Sequence, residues 1–165
     1  MTARTTAPTL YKMTGSGNDF VFLDGRETAL ADWSTERMVA VCDRRTGVGA
    51  DGLVLLEPEG PEQVRMHFYN SDGSRAAMCG NAALCSTRLS HHLGFLAANA
   101  TLTLHTDAGD VRARCTEAPD GAEINLPACP MPVAVSEITP IAGERWMRFT
   151  TVGVPDLVVF VDDLE

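Results

Sequence analysis

Cys79 is the side chain in this chain that its neighbours best equip for chemistry. It lies in the run Asn70-Ser71-Asp72-Gly73-Ser74-Arg75-Ala76-Ala77-Met78-Cys79-Gly80-Asn81-Ala82-Ala83-Leu84-Cys85. Residues 64–69 alternate apolar and polar side chains, the period of a strand, and 70–74 are dense in turn formers. Ala82, Cys85, Leu89 and Leu93 then recur at spacings of three and four, which predicts a helix from about Gly80-Asn81 to Gly94. A thiol delivered to a helix start meets free backbone N–H groups, which attract anions and pull a thiol below its usual ~8.5. Such a group can give or take a proton. The competing account is a thiol buried for packing, the commoner fate of free cysteine.

The elements that must position this thiol are legible on either side. Leu10-Tyr11-Lys12-Met13 leads through Thr14-Gly15-Ser16-Gly17-Asn18-Asp19 into the apolar run Phe20-Val21-Phe22-Leu23, read as strand, glycine turn and buried strand. Gly15-x-Gly17 lacks the third glycine and following helix of a dinucleotide fingerprint. Two accounts of it stand together: a turn needing positive φ, or a turn that aims the Asn18 amide, donor and acceptor at once, into a ligand site. Ser34 is the expected N-cap of a helix over 35–44, with Met38, Val41 and Cys42 on its apolar face. A second glycine-rich loop, 44–52, follows. Its two arginines could hold a carboxylate, or could simply line a solvated helix end. A strand at 53–56, a surface turn at 58–61 and a meander of strands at 101–106, 111–115 and 122–126 complete this part.

Residues 127–132 hold three prolines in six positions and mark a boundary. Only short strands follow, at 133–135, around 146–150 and at 157–161, too little for a core of their own. The expected organisation is a disordered leader at 1–8, a first lobe at 9–126, the boundary at 127–132 and an incomplete second unit at 133–165 that reads as interrupted.

Composition narrows the function. A 45% apolar and 21% charged chain is an ordinary globular protein, and a net charge of −9 with no basic patch argues against a nucleic-acid partner. No run of 18 apolar residues suggests a membrane span. Five cysteines without a secretory signal point to a reducing cytoplasm. Cys79, Cys85, His91 and His92 fit no common zinc spacing, so no metal is expected. An exposed apolar strand at 157–161 makes self-association, such as a homodimer, an expectation.

Four motifs, Lys12-Met13-x-Gly15-x-Gly17-Asn18-Asp19-Phe20, Gly47-Val48-Gly49-Ala50-Asp51, Asn70-x-Asp72-Gly73-Ser74 and Met78-Cys79-Gly80-Asn81, resemble the diaminopimelate epimerase family in matching order. The resemblance implies an α+β fold of two similar lobes, each a curved, mostly antiparallel sheet around a central helix, with the active site between them. It implies an isomerase of lysine biosynthesis that needs no pyridoxal or other cofactor. That enzyme interconverts LL- and meso-diaminopimelate by proton transfer between two thiols, one from each lobe. By the same resemblance Cys79 is catalytic, Gly80 and Asn81 offer backbone donors to the amino-acid substrate, and Asn18 and Asn70 bind it through side-chain amides.

The chain departs from the family pattern at several points. The second cysteine, which the family carries in a Cys-Gly-Ser/Thr-Gly stretch of its second lobe, is absent from the 165 residues. Gly153-Val154-Pro155-Asp156 stands where Gly-Asn-Pro-His is common, Gly52 where some members use glutamine, and Leu84 where arginine is usual. Asp156 would bring a carboxylate towards the cysteines and raise a thiol's pKa. Two other readings are therefore carried: a related cofactor-independent racemase of another amino acid, and a non-catalytic single-lobe pseudoenzyme.

Overall fold

The computed structural model describes residues 7–97, 99–126, 128–152 and 155–163. The leader expected at 1–8 falls mostly outside these, as do Pro127, Gly153, Val154, Leu164 and Glu165. Contacts divide the chain after Asn125 into two compact units.

In the first unit β1 (Leu10–Gly15) and β2 (Asn18–Asp24) form an antiparallel hairpin. After α1 (Thr35–Cys42), β3 (Gly52–Gly60) pairs parallel with β2 and antiparallel with β4 (Gln63–Asn70). The short β5 (Arg75–Ala76) pairs with the C-terminal part of β4. Helix α2 (Gly80–His92) then crosses over to β6 (Leu102–Thr106), which runs parallel to the N-terminal part of β4. β7 (Gly109–Cys115) and β8 (Ala122–Asn125) close the sheet as antiparallel neighbours, giving the order β1-β2-β3-β4-β6-β7-β8.

One rule explains where the helices sit. β2-α1-β3 and β4-α2-β6 are both parallel crossovers stepping the same way across the sheet, but β4 and β6 run opposite to β2 and β3. Parallel crossovers are right-handed, so reversing the strands moves the helix to the other face. Accordingly α1 packs with Val21, Leu23, Leu53 and Leu55, whereas α2 packs with Phe20, Phe22, Val54 and Leu56. The run Phe20-Val21-Phe22-Leu23 is apolar throughout because both of its faces are covered.

Helix α2 touches β1 at one edge, β8 at the other and every strand on the path between them. Laid flat, seven strands at ~4.8 Å spacing would hold those edges about 29 Å apart, far beyond the ~10 Å width of a helix. The sheet is therefore curled into a half-barrel around α2. Close wrapping requires small side chains, and Ala82, Ala83, Ser86, Thr87 and Ser90 are all buried. Ser86 and Thr87 donate to the carbonyls of Ala82 and Ala83, at 2.7 and 2.8 Å, which satisfies hydroxyls that would otherwise be orphaned.

The turn expected at 58–61 is smaller than the sequence suggests. β3 continues to Gly60 and the reversal falls at Pro61-Glu62. Pro58 is tolerated because β2 has ended, at Asp24 opposite Leu56, so one edge of β3 needs no donor there.

The second unit is an antiparallel sheet, β11-β10-β9, of β9 (Val133–Ala134), β10 (Glu144–Thr151) and β11 (Pro155–Val161). Trp146 and Phe160 stack at 3.7 Å between ring centres, and Leu157 and Phe160 are exposed. Among the described residues, no helix is long and apolar enough to cross a membrane.

Candidate functional site

Ser34 accepts a hydrogen bond from the Arg37 N–H and caps α1, which ends at Cys42, two residues before the end expected. Cys42 is buried and burial pushes its thiol up, as suits a core residue. Cys85 is likewise buried, with its pKa pushed up to about 11 by burial and then by the nearby Cys79. Neither can act as a base near neutral pH.

Cys79 is different. It is the N-cap of α2, with extended backbone (φ −141°, ψ 120°), and its carbonyl accepts from Ala83 N–H at 2.9 Å. Its side chain makes no capping hydrogen bond and is only half-buried, packed on one side against the core at the mouth of the helix. The adjacent Met78 is buried in the core and anchors it. Gly80 and Asn81 occupy the first helical positions, where backbone N–H groups have no intrahelical acceptor.

The β1–β2 turn reaches this helix start. Ser16 and Gly17 have φ of 51° and 93°, the pair of left-handed residues a two-residue hairpin turn demands. Gly15 serves another purpose: a Cβ there would lie 2.8 Å from Cys85 Sγ and 3.2 Å from the Asn81 carbonyl oxygen. Its bareness lets the hairpin dock on the first turns of α2. Docking brings Asn18 to Asn81, whose Nδ2 donates to Asn18 Oδ1 at 2.7 Å.

Asn18 Nδ2 in turn donates to Asp51 Oδ2 at 2.9 Å. Arg44 bridges two carboxylates, donating to Asp51 Oδ1 at 2.7 Å and to both oxygens of Asp19 at 2.7 and 3.0 Å. Lys12 donates to Asp19 Oδ2 at 2.8 Å and to the Gly49 carbonyl. So Arg44 does hold carboxylates, and they are the protein's own. The sequence flagged this arginine but not its partners. The signal lay in Asp19 and Asp51, each an acid inside a glycine-rich motif.

Asn70 ends β4 opposite Gly52, which lies opposite Phe20 of β2, so Asn70 and Asn18 share one end of the sheet. The Asn70 amide donates to Ser74 Oγ at 3.0 Å, and no hydrogen bond among the described residues joins it to Asn18 or Asn81. The structure thus brings Asn18 and Asn81 into contact beside Cys79, and leaves Asn70 on the neighbouring strand end. Among the described residues, no group of three or more His, Cys, Asp or Glu is placed to hold a metal ion.

Two measurable consequences follow from this packing. The Arg44 and Lys12 hydrogen bonds hold Asp19 well below the usual carboxylate range, and the Asn18 hydrogen bond lowers Asp51. Their stabilisation is fully present above the unfolded value near 4 and is lost as pH falls from there through the folded values. Thermal stability should hold from pH 7 to about 5 and fall below about 4, and Asp19→Asn should flatten that fall. The effect is small because Arg44 is exposed, and salt should weaken it.

Gly52 is closed to any side chain. A Cβ there would meet the Tyr69 carbonyl oxygen at 2.6 Å and the Phe68 ring at 2.7 Å. Gly52→Gln should cost about 2–3 kcal/mol in urea unfolding, and Gly52→Gln with Phe68→Ala distinctly less than the two changes summed.

A half-barrel curled on one helix, with a thiol and a tethered amide pair at the helix mouth, defines the class. The fold is shared with a Pseudomonas aeruginosa protein described as a predicted epimerase, which has a TM-score of 0.70 and 19% identity. That match covers 94% of this chain and 60% of that one. It is shared too with a phenazine biosynthesis protein of the PhzF family from Bacillus anthracis, with TM-score 0.69, 15% identity and coverage of 94% and 56%. Residues 10–124 match the diaminopimelate epimerase family model, and the chain belongs to that family. It is 45% identical to a diaminopimelate epimerase of Gemmatimonas aurantiaca over 93% of this chain and 55% of the relative. To that of Aquifex aeolicus it is 36% identical, over 94% and 58%. The chain spans little more than half the length of these curated relatives.

Proposed function

We propose that the native polypeptide is a cofactor-independent epimerase that interconverts LL- and meso-diaminopimelate, with Cys79 as one of two thiols that exchange a proton at the α-carbon. The observation that carries this is the placement of Cys79: half-buried, with no side-chain capping bond, and followed directly by Gly80 and Asn81 at the first helical positions, whose N–H groups have no intrahelical acceptor. A thiol is a base of modest strength, so the weakly acidic Cα–H yields only if the developing carbanion is stabilised. Donors at the helix mouth aimed at the substrate carboxylate supply that stabilisation, most effectively in a site closed to water. Asn18, held by Asp51 and Asn81, and Asn70, at the next strand end, offer amides to the rest of the substrate.

Inversion needs a second group on the opposite face of the carbon. In this reading it is a cysteine of a second lobe whose start is residues 133–165, and the exposed Leu157 and Phe160 there suit packing against further chain or a second copy. A related racemase of another amino acid is the second reading, favoured by Gly52, where Phe68 and Tyr69 exclude the glutamine some family members carry.

The test is exchange of the substrate α-hydrogen by the native polypeptide in deuterated water. Incorporation of deuterium with inversion of LL-diaminopimelate is expected. Exchange with a different amino acid alone would select the racemase reading, and no exchange with any would sink both.

A further inference from the structure

We propose that Arg44 and Asp51 are positioning residues that fix the polarity of the Asn18–Asn81 amide pair, so that Asn81 presents its side-chain carbonyl oxygen to a ligand ammonium group beside Cys79. This rests on the amino-acid epimerase reading and names how that site tells one substituent of the reacting carbon from another.

An asparagine amide is nearly symmetric in shape and can turn its oxygen and nitrogen over unless a neighbour decides. Here a neighbour does. A carboxylate only accepts, so the side of Asn18 that faces Asp51 must be its NH2, and Nδ2 lies 2.9 Å from Asp51 Oδ2. That turns Asn18 Oδ1 towards Asn81. An oxygen there can only accept, so Asn81 must offer its NH2, and Nδ2 lies 2.7 Å away. The Asn81 oxygen is therefore the outward end of the relay, and no described residue donates to it.

Asp51 is itself held. Its Oδ1 accepts from Arg44 at 2.7 Å, and the same guanidinium grips both oxygens of Asp19. The Asp19 N–H also reaches Asp51 Oδ2, and the Asp51 N–H returns to the Asp19 carbonyl at 2.8 Å. With both oxygens engaged and a cation fixed against one of them, Asp51 stays an ionised acceptor and imposes a single direction on the two amides beyond it.

The consequence is chemical sorting at the helix mouth. The N–H groups of Gly80 and Asn81 suit a carboxylate, and the Asn81 side-chain oxygen suits an ammonium. With both substituents placed, the remaining hydrogen of an α-carbon has a defined direction relative to Cys79. A reversed amide pair would offer an N–H to the ammonium and repel it.

The test uses the native polypeptide, its Asp51→Asn and Arg44→Lys variants, and 2,6-diaminopimelate as probe. Asparagine at 51 keeps the size but can donate as well as accept, so it no longer dictates the direction of Asn18. Arg44→Lys keeps the charge but loses the planar fork that grips both oxygens of Asp19 while reaching Asp51, and it serves if the first variant folds poorly. Nitrogen-15 spectra of the side-chain amides report the relay without any ligand: the wild type should show the scalar coupling from Asn81 Nδ2 across the hydrogen bond to Asn18. Asp51→Asn should lose that coupling, raise the Kd for diaminopimelate tenfold or more, and raise KM by more than it lowers kcat. Arg44→Lys should move the same readouts in the same direction by less. A coupling that persists in Asp51→Asn overturns the proposal, as does a lost coupling with Kd unchanged within twofold. A wild type that shows the coupling but neither binds nor exchanges diaminopimelate would instead refute the epimerase reading and, with it, the ammonium assignment, while the control of amide direction by Asp51 would stand on the spectra.

Discussion

Cys79→Ala should abolish epimerisation by the native polypeptide, lowering kcat/KM by about 10³-fold or more, equivalent to about 4 kcal/mol of transition-state stabilisation. The stability change should be small, within about 1 kcal/mol, because the side chain makes no capping bond and is only half-buried. The two readouts separate a proton-transfer role from a packing role. A packing thiol would lose stability and activity together, whereas a proton carrier loses activity alone. On the two-thiol reading the variant should also be asymmetric: the second thiol would still exchange the hydrogen of one epimer but would not deliver inversion. Retained epimerisation would remove Cys79 from the mechanism.

Gly15→Ala should damage both the fold and the site. The new methyl would fall 2.8 Å from Cys85 Sγ and 3.2 Å from the Asn81 carbonyl oxygen, both belonging to the helix that carries Cys79. Neither neighbour can yield freely: Cys85 is in the core and the carbonyl is helix backbone. Overpacking of this kind costs about 1–3 kcal/mol. The larger effect is on activity, because the strain falls on the first turns of α2 and on the Asn18–Asn81 contact. A misplacement of about 1 Å at a reacting centre can cost ~10²-fold in rate, so a fall of that order in kcat/KM is expected. Cys85→Ala in the same chain removes the closer clash and should restore part of both losses. No coupling between the two substitutions would show that Gly15 acts through its turn and not through the helix.

How much of this could be read beforehand differs from residue to residue. Phe20-Val21-Phe22-Leu23 announced a strand covered on both faces, and the spacing of Ala82, Cys85 and Leu89 announced the helix, because burial writes itself directly into side-chain type. Ser86, Thr87 and Ser90 concealed how completely that helix is enclosed. They look like a solvent face, yet Ser86 and Thr87 donate to their own helix's carbonyls, which removes the penalty for burying them. Pro58 suggested a turn, since nothing local reveals that β2 stops short and leaves the edge of β3 open. At the site, Cys79, Gly80 and Asn81 were legible as a contiguous motif. The bridging of Asp19 and Asp51 by Arg44 was not, because it joins three separate stretches that only the sheet brings together. Gly15 was noticed for the wrong reason: its turn conformation matters less than a cysteine far along the chain.

The contact between Asn81 and Asn18 spans 63 residues of chain. Closing a flexible loop of that size carries an entropic cost near 4 kcal/mol, several times the ~1 kcal/mol that one amide hydrogen bond returns. The bond therefore cannot nucleate anything; it appears only after strand pairing and helix docking have already drawn its ends together. Folding and the readiness of the site are in this sense a single cooperative event. A chain that has lost the wrap of sheet around helix retains every candidate residue and none of their mutual geometry, so partially folded forms lack the assembled site.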